Sequence, residues 1–428
     1  MITVLKGTHD VILDEASKYT YVEQVLIRVA ETYGFKEFRT PIIEASNLFT
    51  RSVGDSSDIV RKEMYTFLDK GDRSITLRPE LTAGVVRSMV NNKLFIEQDY
   101  PKKAYYVGPC FRYERPQQGR YRQFNQFGVE CVGVNNSYRD SEVIILAYNA
   151  LKMLGFKNIT LKINTLGDEE SRLNYKTVLK DYFKDHLEEM CADCHERYNL
   201  NPLRILDCKD PSDQEIVKNA PKMSDFLTEQ ARNSFEEVKN ILSTNGVNYE
   251  VDDSLVRGLD YYSGVVFEFH YTSKQGKNYG AIGAGGHYNK LVKELEGPDI
   301  EGIGFAMGIE RLVSVMNDDS LFDEIELEDT MLDIYVLPIG SENIPYALSF
   351  TNKLRSLGYA CEVCLENKNM SQMFKKAERR RAKLALILGE NEIKNQEVVV
   401  KNLALKEQET VKIDNLIEYL DEILIKEE

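Results

Sequence analysis

The residues best placed to do chemistry fall in one stretch, Gly108 to Glu130 (GPCFRYERPQQGRYRQFNQFGVE). It reads as two strands joined by a polar loop from Arg115 to Tyr121. Side chains on a strand alternate faces, so Phe124, Gln126, Gly128 and Glu130 share one face and Phe127, Val129 and Cys131 the other. Antiparallel pairing brings Arg112 and Glu114 onto the face of Gln126 and Glu130. A guanidinium fork beside carboxylates is costly to bury unless something charged meets it. The competing reading is a solvated sheet face with surface ion pairs. Gly128, between Gln126 and Glu130, favours a ligand, because it leaves room against the backbone.

Four further segments carry candidate groups. Arg73 to Asn92 reads as strand, turn and helix, with Arg78, Glu80 and Thr82 at the turn and Thr82 as a candidate cap. Leu255 to His270 (LVRGLDYYSGVVFEFH) places Arg257 and Gly258 before Tyr261 and Tyr262 and an alternating strand. Gly280 to Leu291 (GAIGAGGHYNKL) reads as a glycine-rich turn, and it fits neither a P-loop nor a dinucleotide fingerprint. Gly302 to Leu312 runs as a small-residue strand into a helix opening near Glu310 and Arg311. A fifth, Cys191-x-x-Cys194-His195 with Cys208 further on, could begin a zinc site. Its second pair is incomplete, so a tetrahedron would need His195 or His186. Ordinary thiols and no metal are expected there.

The positioning elements follow from periodicity. Apolar residues at Val22, Val25, Leu26, Val29 and Tyr33 give a helix over Ser17 to Tyr33, with Ser17 as N-cap and Gly34 as stop. The strand FKEFRTPIIE follows, and its Pro41 suits an edge or interface. Ser141 to Leu154 reads as a helix and Thr160 to Thr165 as a strand. The pattern is helical and highly charged from Asp168 to about Gly246. After a charged linker, Asn317 to Asp329, LDIYVLP, YACEVCL and AKLALILG alternate with helical stretches, which implies a parallel or mixed sheet. VVVKNL and ETVKI add strands, and Asn415 to Glu427 a last helix. The basic run Lys375 to Lys383 (KKAERRRAK) reads by itself as a solvated helix face.

Composition bounds the class. The chain has 428 residues, 43% hydrophobic and 29% charged, which suits a globular protein of two or three domains. No signal peptide or membrane-spanning run is visible. Seven scattered cysteines fit a reducing cytoplasm. A net charge of −15 argues weakly against nucleic acid but leaves room for a local basic patch.

Taken together, these segments resemble the class II aminoacyl-tRNA synthetases, and most closely the bacterial histidyl-tRNA synthetases. The central hairpin resembles motif 2, the helix and Pro41 strand motif 1, and Gly302 to Leu312 motif 3. The tyrosine-pair segment and GAIGAGGHYNKL resemble the two histidine-specific signatures. The resemblance implies an α+β catalytic domain with an antiparallel sheet over residues 1–325, a helical insertion at about 168–246, and a C-terminal α/β anticodon-binding domain at 330–428. It implies ATP-dependent activation of L-histidine and transfer to tRNA(His), with ATP and Mg²⁺ bound, a homodimer through the motif 1 region, and a cytoplasmic location.

Activation needs no general base, because the attacking carboxylate is already ionised. It needs two anions aligned and the growing phosphoryl charge stabilised, which arginines do well. The resemblance places Arg112 and Arg257 at the α-phosphate as the catalytic pair, with Arg257 also on the histidine carboxylate. Arg311 and Arg120 fall to the distal phosphates, and Glu114 to ATP. Glu80, Thr82 and Gln126 would take the α-ammonium. Glu130 and Tyr262, beside Tyr261, would take the imidazole. Arg115 and Gln117 would meet the tRNA acceptor end, and the basic run Lys375 to Lys383 gains weight as a phosphate-contacting surface.

Four positions depart from the family pattern. Leu81 stands for a glycine, so a strained turn or a crowded pocket is expected. His287 and Asn289 stand for an arginine and an aspartate, and read as a neutral pair that replaced an ion pair. The family also has a glycine near Arg380 or Arg381. A diverged paralogue that binds histidine or a partner without charging tRNA is the alternative, but regulatory paralogues of this kind lack a C-terminal domain.

Overall fold

The computed structural model describes residues 2–54, 57–96, 99–115, 118–133, 135–256, 260–325 and 332–425. Arg257 and Gln117 lie outside the described residues. The chain forms two compact units, Met1–Leu327 and Glu328–Glu428.

The first unit is built on an eight-stranded sheet. Its order is Lys36–Glu37, Lys102–Phe111, Gln123–Val132, Gly302–Gly308, Asn278–Tyr288, Tyr262–Thr272, Ile159–Thr165 and Tyr249–Val251. The edge strands pair parallel and the six between them antiparallel. The expected hairpin is present, with Gly108 opposite Gln126 and Ala104 opposite Glu130. The alternation also holds: Phe127, Val129 and Cys131 enter the main core with the helix Asp14–Thr32 and the helix Ser137–Met153. Gln126 and Glu130 face the other way, into a cavity.

Four local expectations are corrected. The first helix begins at Asp14, not after a Ser17 cap, although Gly34 does take the left-handed conformation past its end, at φ 79°. The strand expected over FKEFRTPIIE breaks around Pro41. Lys36–Glu37 joins the large sheet, while Ile43–Ala45 joins a separate three-stranded sheet with Ser74–Leu77 and Tyr65–Leu68. GAIGAGGHYNKL is mostly strand, not turn, because its glycines let neighbouring chains approach closely. Leu81 is neither strained nor in the way. Its φ is −106° and its side chain is buried in a core cluster with Val85, Tyr106 and Cys110.

The second unit has a five-stranded sheet ordered Cys361–Val363, Ile334–Pro338, Leu384–Leu388, Glu397–Asn402 and Gln408–Lys412. The first three are parallel and the last two antiparallel. The basic run closes the helix Met370–Arg379, where cations favour the partial negative charge of the last turn. Arg381, just beyond it, has φ 50°, which gives the family's glycine near this position a backbone reason. Several of its cations are paired: Arg380 to Glu362 at 3.2 Å and Lys376 to Glu366 at 3.3 Å, while Lys375 and Arg379 are exposed.

Candidate active site

Seven of the candidate residues line one cavity of about 130 Å³: Glu80, Thr82, Arg112, Gln126, Glu130, Tyr261 and Tyr262. They arrive from three places in the chain. The hairpin strands bring Arg112, Gln126 and Glu130. The turn before the helix Thr82–Asn91 brings Glu80 and Thr82, and the start of the strand Tyr262–Thr272 brings the tyrosine pair.

Glu130 forms the floor. One of its oxygens accepts from the Thr82 hydroxyl at 2.7 Å and the Tyr106 hydroxyl at 3.1 Å, the other from Tyr288 at 2.9 Å. Gly304 sits directly beneath it, and a Cβ there would lie 2.1 Å from a Glu130 oxygen. Burial pushes the carboxyl up to about 8, against the opposing pull of the Thr82 and Tyr288 hydroxyls. The room expected over Gly128 is instead occupied by the Tyr106 ring, whose hydroxyl oxygen would lie 2.4 Å from a Cβ at that position. Gly128 therefore seats Tyr106, and Tyr106 orients Glu130. Neither Tyr106 nor Tyr288 stood out in the sequence, although Tyr288 shares the alternation of Ala284 on its strand.

Glu80 is not paired with Arg78. Its carboxylate accepts the Thr82 and Ala83 N–H groups at 2.6 and 3.0 Å, so it caps the helix that Thr82 had been expected to cap. Thr82 turns its hydroxyl to Glu130 instead. Arg78 donates to the carbonyls of Pro109 and Thr40, tying the turn to the hairpin. Burial raises the Glu80 carboxyl, and the two N–H bonds oppose that.

Arg112 is half-buried at the cavity wall. Its Nε donates to the Pro79 carbonyl at 2.8 Å and its guanidinium lies 5.3 Å from the centre of the Phe124 ring. Arg311 sits apart from the cavity lining, under the hairpin loop, donating to the carbonyls of Gln118 and Tyr279. Burial and then the neighbouring Arg120 lower its pKa, so two guanidinium charges crowd one region. Arg120 lies 3.8 Å from Glu114, and Arg115 is exposed. Glu310, next to Arg311, accepts from the Asn125 backbone and side-chain N–H groups at 2.8 to 3.0 Å, fixing the helix Ile309–Asp318 to the hairpin.

His287 faces away from this cavity, since it neighbours Tyr288 on one strand. Its ring bonds Asp140 at 3.0 Å and Glu301 at 2.6 Å. Burial works against a charged ring, but the two carboxylates outweigh it and hold the imidazole up to about 10. The expected neutral pair with Asn289 is thus corrected: His287 is an imidazolium between two acids. It lines a second cavity of about 200 Å³ together with Asp140, Asn289 and Glu301.

The Glu130 pKa has a measurable consequence. A carboxyl raised in the folded state favours folding fully below its ordinary value near 4.5, and that contribution is lost as pH rises through about 8. Glu130→Gln, which keeps the protonated shape, should therefore lose less melting temperature than the parent between about pH 6 and pH 9. Parallel losses in the two proteins would show that Glu130 is not the group titrating.

The family profile described as histidyl-tRNA synthetase matches residues 7–312, and that of the anticodon binding domain residues 333–423. The chain is 43% identical to the histidine–tRNA ligase of Staphylococcus haemolyticus over 426 residues, 99% of each chain. It is 45% identical to that of Bacillus subtilis over 415 residues, 96% of each. Among solved structures, apo Staphylococcus aureus histidyl-tRNA synthetase superposes with a TM-score of 0.84 at 37% identity, covering 98% of this chain and all of that one. With the class II sheet, a second unit matched by the anticodon-binding profile and relatives of this identity along nearly its whole length, the chain belongs to the histidyl-tRNA synthetase family.

Proposed function

We propose that this protein activates L-histidine with ATP to histidyl-adenylate and then transfers the histidyl group to the 3′ end of tRNA(His). The observation that carries the reading is Glu130, a carboxyl group buried at the cavity floor and held by three hydroxyls, which would meet an imidazole nitrogen bound in that cavity.

In the first step a histidine carboxylate oxygen bonds to the α-phosphorus of ATP, and the bond from that phosphorus to the bridging oxygen breaks, releasing pyrophosphate. Arg112 and Arg257 would steady the charge on the α-phosphoryl oxygens, and Arg257 would hold the attacking carboxylate. Glu80, Thr82 and Gln126 would bind the α-ammonium. Tyr262, packed 4.6 Å from Tyr261 between ring centres, would bond the second imidazole nitrogen. Arg311 and Arg120 would hold the distal phosphates. Mg²⁺ would arrive with ATP and neutralise phosphate charge with few dedicated protein ligands, and Glu114 on the hairpin would meet the nucleotide. In the second step the terminal ribose hydroxyl attacks the activated carbonyl and AMP leaves. Arg115 and Gln117 would guide that end, and the second unit, with Lys375 and Arg379, would contact the anticodon arm.

Leu81 leaves all of this in place, since it sits in the core and not in the cavity lining. The paralogue reading is not favoured, because ligase relatives match both units. Histidine-dependent ATP–pyrophosphate exchange tests the activation step, and charging of total tRNA the second. No exchange in the purified protein would remove the proposal.

We also propose a cytoplasmic homodimer. The apolar side chains of Ile42, Ile43, Phe67 and Leu68, exposed on and beside the small three-stranded sheet, support a partner there. Light scattering at micromolar concentration should give twice the chain mass, and a stable monomer would count against it.

A further inference from the structure

The cysteine cluster does not behave as scattered thiols. Cys191 precedes the helix Ala192–Leu200, Cys194 lies in its first turn, and Cys208 follows the short 3-10 helix Pro202–Asp207. The fourth member is Asp213, in the first turn of the helix Pro211–Lys218. The three sulfurs and one Asp213 oxygen all lie within 4.8 Å of one another. Neither His195 nor His186 takes part: His195 is exposed, and the His186 ring packs against Tyr182.

The spacing fits one metal ion. Four ligands placed tetrahedrally around zinc, with Zn–S near 2.3 Å, put their sulfurs about 3.8 Å apart and a sulfur and a carboxylate oxygen about 3.5 Å apart. Cys191 and Cys208 have their sulfurs 3.8 Å apart, and the Cys208 sulfur is 3.2 Å from an Asp213 oxygen. The group is too tight to surround the inorganic core of an iron–sulfur cluster. Three soft sulfurs with one hard oxygen suit zinc, which accepts both.

The chemistry of the donors points the same way. Asp213 is completely buried, yet its hydrogen bonds come from uncharged donors: the Cys191 N–H at 3.0 Å, the Ser212 hydroxyl at 3.1 Å and the Cys208 thiol. A carboxylate taken out of water is costly unless hydrogen bonds or a positive charge meet it, and a metal cation would supply the charge that these donors lack. Cys191 and Cys194 form the two-residue-spaced knuckle common to structural zinc sites, and four protein ligands, with Cys191 half-buried and the other three buried, leave no open position for a substrate.

We propose that Cys191, Cys194, Cys208 and Asp213 bind a single structural Zn²⁺. The ion joins three elements of six to nine residues, each too short to hold its shape alone, around a small core that includes Tyr175, Phe183, Ile205 and Met223. This lobe also reaches the hairpin. Glu196 and Asp193 pair with Arg61 and Lys62, and the carbonyl of the next residue, Glu63, accepts the Tyr113 N–H at 2.7 Å.

The test uses the full-length chain purified under reductant. Elemental analysis should find one zinc per chain that survives gel filtration. Cobalt exchanged into the chelated protein should give the intense thiolate-to-metal absorption and d–d bands of a tetrahedral thiolate site. Chelation should expose three further thiols to a thiol reagent and open the lobe to limited proteolysis, and added Zn²⁺ should reverse both. Asp213→Ala should weaken zinc at least about tenfold, as loss of groups around metal sites does, while Asp213→His retains it. If the variants fail to fold, the zinc content and the cobalt spectrum of the parent decide alone. Metal-free protein that takes up neither zinc nor cobalt under reductant overturns the proposal. So does a second preparation, purified without reductant and denatured, with two of its seven thiols missing, which would mean a disulfide.

Discussion

Replacing Arg112 with alanine is expected to slow histidine-dependent ATP–pyrophosphate exchange by a factor of about 10²–10³, while histidine binding without ATP weakens far less. The expectation comes from how the side chain is held. Its Nε bond to Pro79 and its packing on Phe124 fix the plane of the guanidinium before any substrate arrives. A charge oriented in advance costs no reorganisation when the phosphoryl oxygens gain charge, and losing one such donor typically costs about 2.7–4 kcal/mol. Arg112→Lys should recover little, because an ammonium keeps the charge but loses the fork. Arg257→Ala is expected to act in the same direction. An Arg112→Ala exchange rate within about twofold of the parent would take Arg112 out of the mechanism.

The family resemblance points to Arg112, and a two-residue alternation puts it on the face of Gln126 and Glu130. Gln126 and Glu130 were assigned to one face and Phe127 and Val129 to the other from period alone, and the sheet keeps that division. What the sequence hid were contacts between residues distant along the chain. Gly128 is needed for Tyr106, 22 positions earlier and opposite it across the hairpin, so a local reading saw room where a ring lies. Tyr288 and Gly304 complete the Glu130 floor from strands whose glycines look like turn residues until their neighbours are known. Leu81 was expected to trouble the turn, yet its backbone is ordinary and its side chain has a core to enter. Asp213 carries no sequence signal for another reason. A carboxylate in a helical, highly charged segment is indistinguishable in sequence from its solvated neighbours, and only the fold sets it among three sulfurs.

The largest effect on stability is expected at His287. His287→Ala should destabilise the first unit by about 3 kcal/mol, the lower end of what removing one partner from a buried ion pair costs, because Glu301 keeps some access to water. The loss should depend on pH in a defined sense. A histidine held up to about 10 contributes fully below its ordinary value near 6.5, and the contribution disappears as pH rises through 10. The gap between parent and variant should therefore be widest in mildly acidic solution and close in strong alkali. The same geometry revises what returning to the family residue would do. If His287 and Asn289 were a neutral pair, arginine at 287 alone would be stranded. Asp140 and Glu301 already supply its counter-charges, and the adjoining cavity of about 200 Å³ gives the longer side chain space. His287→Arg should then stay close to the parent with or without Asn289→Asp, since the partners lie elsewhere. Denaturant unfolding of the single and double variants across the pH range separates the two pictures. A large loss in His287→Arg that Asn289→Asp repairs would mean that residue 289, not the Asp140–Glu301 pair, is what position 287 answers to.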